Sequence, residues 1–166
     1  MNQAIEIKEL TKQYASKRAV DMVSLSIEEG ELLALLGVNG AGKTTLIKML
    51  SCLTKPTSGD ALLFGKSIIT EPQQVKQLIA VSPQETAIAP NLTVRENLEL
   101  MARVHGFDKE TTKQKTDELL HKFSLHTFEK QRSKTLSGGW KRRLSIAMSL
   151  ISEPKILFLD EPTLGL

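Results

Sequence analysis

Residues 32–53 read Leu32-Leu33-Ala34-Leu35-Leu36-Gly37-Val38-Asn39-Gly40-Ala41-Gly42-Lys43-Thr44-Thr45-Leu46-Ile47-Lys48-Met49-Leu50-Ser51-Cys52-Leu53. Leu32–Leu36 is apolar without interruption and predicts a parallel strand covered on both faces. Leu46, Ile47, Leu50 and Leu53 recur at helical spacing and predict a helix over 44–53. Between them, Gly37 to Thr44 fits the spacing G-x-x-x-x-G-K-[ST]. Glycines let backbone N–H groups converge on phosphate oxygens without interference from a Cβ. The helix N-terminus brings its positive dipole end to the same place. Lys43 reaches the β- and γ-phosphates, and the Thr44 hydroxyl is a hard oxygen ligand for Mg²⁺. Gly37, Asn39, Gly40, Ala41, Gly42, Lys43, Thr44 and Thr45 are therefore the candidate nucleotide-binding set.

Upstream, Ala4–Leu10 and Ala19–Ile27 alternate in character and predict two antiparallel strands with one wet face, and Glu29-Gly30 reads as a turn. Downstream, Pro56 to Asp60 breaks the helix. Ala61–Gly65 predicts a short strand, and Leu78–Ser82 another that ends at Pro83. Three helices follow: 94–105 with Leu98, Met101 and Ala102 on one face, 109–123 with Leu119, Leu120 and Phe123, and 140–152 with Leu144, Ala147, Met148 and Ile151. Ile156–Leu159 is a second continuous apolar strand, and Asp160-Glu161 stands at its end. Ligands in open α/β sheets bind at the carboxyl ends of strands. Asp160 thus falls near the Mg²⁺ site, acting through a coordinated water, and Glu161 is positioned to polarise the attacking water as a general base.

The bulk properties exclude several alternatives. The 22 basic and 19 acidic residues leave a formal charge of +3, too even to argue for a nucleic-acid partner. A single cysteine, Cys52, rules out an internal disulfide framework and fits a reducing compartment. Its place in the apolar stretch Met49–Leu53 predicts a buried, inert thiol. Met1 to Leu10 lacks the apolar segment of a signal peptide. No apolar run approaches the ~18 residues of a membrane span, so any role at a membrane is exerted from its surface.

Leu136-Ser137-Gly138-Gly139-Trp140 opens the last helix. It reads either as an ordinary cap made by Ser137 or as a second anion-binding concavity. The order of the pieces is what identifies them: glycine-rich loop, Gln84, helical block, Ser-Gly-Gly segment, Asp-Glu strand. That order resembles the nucleotide-binding domain of ABC transporters over essentially the whole chain. The resemblance implies an α/β fold: a P-loop NTPase core with an N-terminal antiparallel β subdomain and an inserted α-helical subdomain. It implies a β subdomain and loop core at 1–87, the helical subdomain at 88–153, and the acidic strand with its C-terminal extension at 154–166. It also implies residue roles. Tyr14 stacks on adenine. Gln84 senses Mg²⁺ and the attacking water and couples the site to a membrane partner. Ser137, Gly138 and Gly139 meet the γ-phosphate across a dimer in which two subunits sandwich two ATP molecules.

The expected cofactors are ATP and Mg²⁺. The expected partners are a second nucleotide-binding domain and a transmembrane permease subunit, with no nucleic acid. The expected place is cytoplasmic, peripheral at the inner face of the cell membrane. The expected function is ATP hydrolysis driving substrate transport through that permease. Asn91 to Leu98 looks most like the ATPases of drug or small-molecule exporters.

Some features depart from the family pattern. Trp140 stands where a glutamine is usual. Lys141-Arg142-Arg143 reads either as a solvated helix face or as a basic group near a phosphate. The family's pattern continues with an interface aspartate, a strand lying between the two apolar strands, and a switch histidine. His105, His121 and His126 match no such position and read as surface residues. The C-terminal part of the core is thus expected to be missing, and residues 1–166 alone are expected to be inactive and poorly stable, with hydrolysis belonging to the complete protein. Two other classes remain: a soluble ABC ATPase outside transport, and a truncated fragment that binds nucleotide without turnover. The absence of sustained heptads argues against the coiled-coil type of the former.

Overall fold

The computed structural model describes residues 3–83 and 87–160. Gln84, Glu161 and the Pro162-Thr163-Leu164-Gly165-Leu166 segment lie outside the described residues. The chain divides into two compact units, Met1–Ile79 and Ala80–Leu166.

The first unit is built on a four-stranded antiparallel sheet in the order β2-β1-β3-β4. Strand β1 (Gln3–Tyr14) lies between β2 (Lys17–Glu28) and β3 (Ser58–Leu63), and β4 (Lys66–Ser67) closes the far edge. Ile5 and Ile7 pair with Leu63 and Ala61, and all four are buried. That alternation is the sequence signature of a half-wet sheet. Helix α1 (Lys43–Leu50) buries Leu46, Ile47, Met49 and Leu50. It ends three residues before Leu53, which is 67% exposed. Cys52 follows the helix in a left-handed conformation (φ 57°) and is half-buried, and burial pushes its thiol pKa up. The thiol is therefore less buried than the sequence suggested, and not helical.

Helix α2 (Pro72–Leu78) has no counterpart in the sequence reading. Proline at its first turn suits a helix start. Only Val75 is buried, so it carries no apolar stripe to detect.

The clearest departure is Leu32–Leu36. The expected strand is not formed; the segment is irregular, with Leu32 94% and Leu36 92% exposed. Apolarity alone does not make a strand. Ordering a residue's backbone costs roughly 1–2 kcal/mol, and ladder hydrogen bonds and burial must offset that cost. Among the described residues, no strand pairs with this segment, so nothing offsets it.

The second unit begins within β5 (Ile79–Ser82), which lies beside β6 (Ile156–Leu159). β6 is half-buried along its length rather than covered on both faces. Three helices, α3 (Val94–Val104), α4 (Lys109–Lys122) and α5 (Gly138–Ser149), share one core. It contains Leu98, Ala102, Leu119, Leu120, Leu144, Ala147, Met148 and Ile151, as the helical spacing predicts, and adds Leu125 and Leu136 from the connections. Thr93 and Glu96 form a reciprocal cap on α3, which satisfies amides the helix cannot pair itself. Asp108 caps α4 through the Thr111 amide, which holds the Asp108 carboxyl below its usual range. Arg95 ties α3 to α4 and to the turn at His126–Phe128 through Asp117 (2.8 Å) and Glu129 (2.6 Å).

Asn97 is fully buried. Its Oδ1 accepts from the Ala89 amide (2.8 Å), and its Nδ2 donates to Thr93 O (2.9 Å) and Ser133 Oγ (2.8 Å). One carboxamide thus joins the loop after residue 86, the cap of α3, and the 3-10 turn Ser133–Thr135 that leads into α5. Asn97→Leu keeps the volume but strands buried polar groups, each worth about 1–3 kcal/mol. We expect a loss of at least that size in urea unfolding, with the slope against denaturant unchanged. A midpoint equal to wild type would show that Asn97 is only filler.

Candidate functional site

The glycine-rich loop lies in the first unit, between the irregular Leu32–Leu36 segment and α1. Ala41 N–H donates to Val38 O (3.1 Å), closing a tight turn. Gly42 is the N-cap of α1 and has φ 92°, a left-handed conformation that L side chains rarely adopt. A Cβ at this position would stand 2.1 Å from Ala19 O. Only glycine therefore lets the loop lie this close to β2. Lys43 Nζ donates to Gly37 O (2.6 Å) and Val38 O (3.2 Å), so its ammonium sits inside the curve of its own loop. Thr44 and Thr45 occupy the first turn of α1, and their burial differs from that of the apolar residues behind them: neither is fully buried. The opening amides of α1 have no carbonyl inside the helix to bond, and Gly42 offers no side-chain cap. Gly37, Asn39, Gly40 and Ala41 are all exposed. Tyr14 stands at the end of β1, 47% exposed, with Lys12 Nζ 5.0 Å from its ring centroid.

Ser137, Gly138, Gly139 and Asp160 belong to the second unit. Ser137 precedes α5 with extended geometry, but its hydroxyl caps no amide of that helix. Ser137 is thus the N-cap residue of α5 by backbone position, without a side-chain cap hydrogen bond. Ser137 and Gly138 are exposed, while Leu136 is buried in the helical core and anchors the segment.

Trp140 turns away from that exposed tip. Its ring meets Phe128 (centroids 4.6 Å apart), and Arg143 lies over the ring as well (4.5 Å). The unusual indole is therefore a packing residue of the helical unit, and Arg143 is occupied with it. Arg142 is buried, so Lys141-Arg142-Arg143 is neither a uniformly solvated face nor one basic patch. Nothing in local sequence separates these three cations; the burial of the middle one comes from strands distant in the chain.

Asp160 follows β6 and is buried at 9% exposure. Its amide donates to Ser82 O (3.1 Å), which aligns the ends of β5 and β6. Gln84 and Glu161 each follow one of these ends in sequence. His105, His121 and His126 are exposed, and the rings of the last two stack at 5.0 Å. Among the described residues, no group of His, Cys, Asp and Glu side chains is arranged to hold a metal by itself. No helix among them is long and apolar enough to cross a membrane.

Comparison with known proteins identifies the family and the fold. The doxorubicin resistance ATP-binding protein DrrA of Mycobacterium tuberculosis is 41% identical over 98% of this chain and 50% of its own length. The daunorubicin/doxorubicin resistance ATP-binding protein DrrA of Streptomyces peucetius is 42% identical over 98% of this chain and 49% of its own. The chain thus spans about half the length of these curated relatives. Among solved structures, cbiO1 from Clostridium perfringens, described as part of the ABC transporter complex cbiONQ, superposes with a TM-score of 0.91 at 28% identity. The match covers 100% of this chain and 68% of that one. An ATP-binding subunit of an ABC transporter superposes at 0.82 with 29% identity, covering 98% and 68%. The fold is that of the P-loop ATPases of this group, with an antiparallel β subdomain and a helical block. The family model for ABC transporters matches residues 20–164, and the chain belongs to that family.

Proposed function

We propose that the full-length protein binds Mg²⁺–ATP at Gly37–Thr45 and hydrolyses it to drive a substrate through a separate membrane-spanning partner. The observation that carries this reading is the loop itself. Gly42 is pressed against Ala19 O, and the Lys43 ammonium is folded into the loop's own curve. A loop of that shape directs a cation and the opening amides of α1 toward one point, which suits a triphosphate.

In this reading Lys43 is the point charge for the β- and γ-phosphates, the amides of Gly40, Gly42 and Thr45 hold their oxygens, and Ala41 closes the turn beneath them through Val38 O. Tyr14, already half-exposed at a strand end, offers its ring face to the adenine. A bound Mg²⁺ would supply charge neutralisation at the phosphates. Thr44 supplies its hydroxyl ligand, with Asp160 acting through water and Gln84 as a further oxygen. Such an ion takes most of its ligands from phosphate and water, so a dedicated cluster of acids is not required. Glu161 orients the attacking water and accepts its proton. Ser137, Gly138 and Gly139 meet the γ-phosphate of a second nucleotide-binding domain; the exposed Ser137, whose hydroxyl caps no amide of α5, is suited to that contact.

The named relatives are drug-resistance ATP-binding proteins, which supports export of a drug or other small molecule through a transmembrane permease. That reading puts the protein at the inner face of the membrane, in the cytoplasm. The same names favour transport over a soluble role in DNA repair or translation.

Two sets of variants of the full-length protein test this reading. Gly42→Ala meets both a left-handed backbone and the Ala19 carbonyl, and Lys43→Ala removes the point charge. We expect each to lower ATP affinity and turnover at least tenfold, about 1.4 kcal/mol or more. Affinity and turnover both equal to wild type would remove the loop from the site. Glu161→Gln keeps shape but accepts no proton, and we expect turnover to fall about 10²–10⁴-fold with ATP binding retained. In that variant, sedimentation should show an ATP-dependent dimer. Monomers alone at saturating ATP would contradict the sandwich arrangement.

A further inference from the structure

Arg142 is 2% exposed, on a helix whose neighbouring cations reach solvent or an aromatic ring. Burying a guanidinium is costly unless its donors are used. Here Nη1 donates to Pro83 O (2.5 Å) and Nη2 to Asp160 O (3.1 Å). Nε has no partner among the described residues. The two acceptors are not carboxylates but backbone carbonyls, and they stand at equivalent places. Pro83 follows β5 and precedes Gln84; Asp160 follows β6 and precedes Glu161. The Asp160 amide bonded to Ser82 O keeps these two strand ends level. The planar fork of an arginine can hold two such carbonyls at once, which the compact ammonium of a lysine cannot do in the same geometry.

A carbonyl shares its rigid peptide plane with the next residue's N–H and Cα. Holding Pro83 O and Asp160 O therefore fixes the orientation of the carbonyl at each strand end, and in sequence Gln84 and Glu161 come next. Arg142 itself rides on α5, one turn after Ser137, Gly138 and Gly139. Its side chain is thus a strut from the helix that begins with Ser-Gly-Gly to both strand ends that lead into the proposed water-handling residues. Packing alone does not call for a cation here: methionine would fill a similar volume without the desolvation cost.

We propose that Arg142 is a positioning residue. It fixes the described ends of β5 and β6, at Pro83 and Asp160, relative to the start of α5, so that engagement of the Ser137 segment by a partner's nucleotide is felt at both strand ends. The inference rests on the proposed roles of Gln84, Glu161 and Ser137.

The test uses the full-length protein with Arg142→Met and Arg142→Lys, measuring turnover, ATP affinity and melting temperature. Arg142→Met removes the fork and keeps the bulk. We expect kcat to fall on the order of 10²-fold, the effect of ångström-scale misplacement of reacting groups. We expect ATP affinity to stay within about twofold, because the Lys43 loop belongs to the other unit. Arg142→Lys keeps the charge but not the fork, and should also lower kcat with affinity retained. If Arg142→Met does not fold, Arg142→Lys decides alone. Wild-type kcat in either folded variant overturns the proposal. So does a parallel fall of kcat and affinity, which marks general loosening. A wild-type protein that shows no turnover, or a Lys43→Ala variant that keeps it, removes instead the functional reading beneath the proposal, and Arg142's role with it.

Discussion

The site depends on one close approach, the Cα of Gly42 beneath the carbonyl of Ala19. With φ at 92° and a virtual Cβ only 2.1 Å from that oxygen, residue 42 admits no side chain. The contact sets the first turn of α1 against β2, and β2 is in turn held by its antiparallel register with β1. The sheet therefore determines where the helix begins, and with it where the amides of 43–45 and the Lys43 ammonium point. A lysine on an unanchored glycine turn would sweep through solvent; here its Nζ is held on Gly37 O and Val38 O. Anion affinity at such a place comes from backbone geometry and one charge, without any acidic or aromatic pocket.

The second unit is organised by a complementary device: buried polar side chains that bind backbone. Asn97 collects the loop before α3 and the turn before α5, and Arg142 collects the ends of β5 and β6. Both are satisfied largely by carbonyls and amides of irregular segments, where no ladder or helix can do the pairing. The apolar core of α3, α4 and α5 supplies the burial that makes each of those bonds matter. Trp140 belongs to the same logic. Packed on Phe128 and covered by Arg143, it stiffens the first turn of α5 from behind while Ser137 and Gly138 stay exposed in front.

The features legible in the sequence are the local ones. Leu98 with Ala102, Leu119 with Leu120, and Leu144 with Ala147, Met148 and Ile151 are periodic, and the helices form where that period runs. The glycine-rich loop is legible because its spacing is local. Its upstream flank is the exception. Leu32–Leu36 has the composition of a buried strand, but a strand exists only with a neighbour, and apolarity does not say where the neighbour is. Helix α2 escapes detection for the opposite reason, since a helix that buries only Val75 leaves no pattern. The basic run on α5 is ambiguous in sequence because the partners that bury Arg142 lie 59 and 18 positions away. Gln84, inferred from family resemblance, and Glu161, read from its place after an apolar strand, lie outside the described residues, so the case for them rests on the strand ends that precede them.

The central claim is that Gly37–Thr45 is a backbone cradle for the phosphates of ATP, shaped before the nucleotide arrives. Amide chemical shifts of ¹⁵N-labelled protein, followed as Mg²⁺ and a slowly hydrolysed ATP analogue are added, test it residue by residue. The account predicts that the largest, saturable shifts fall on the amides of Gly40, Ala41, Gly42, Lys43, Thr44 and Thr45. Binding that leaves those amides unmoved, with its largest shifts elsewhere in the chain, would contradict it.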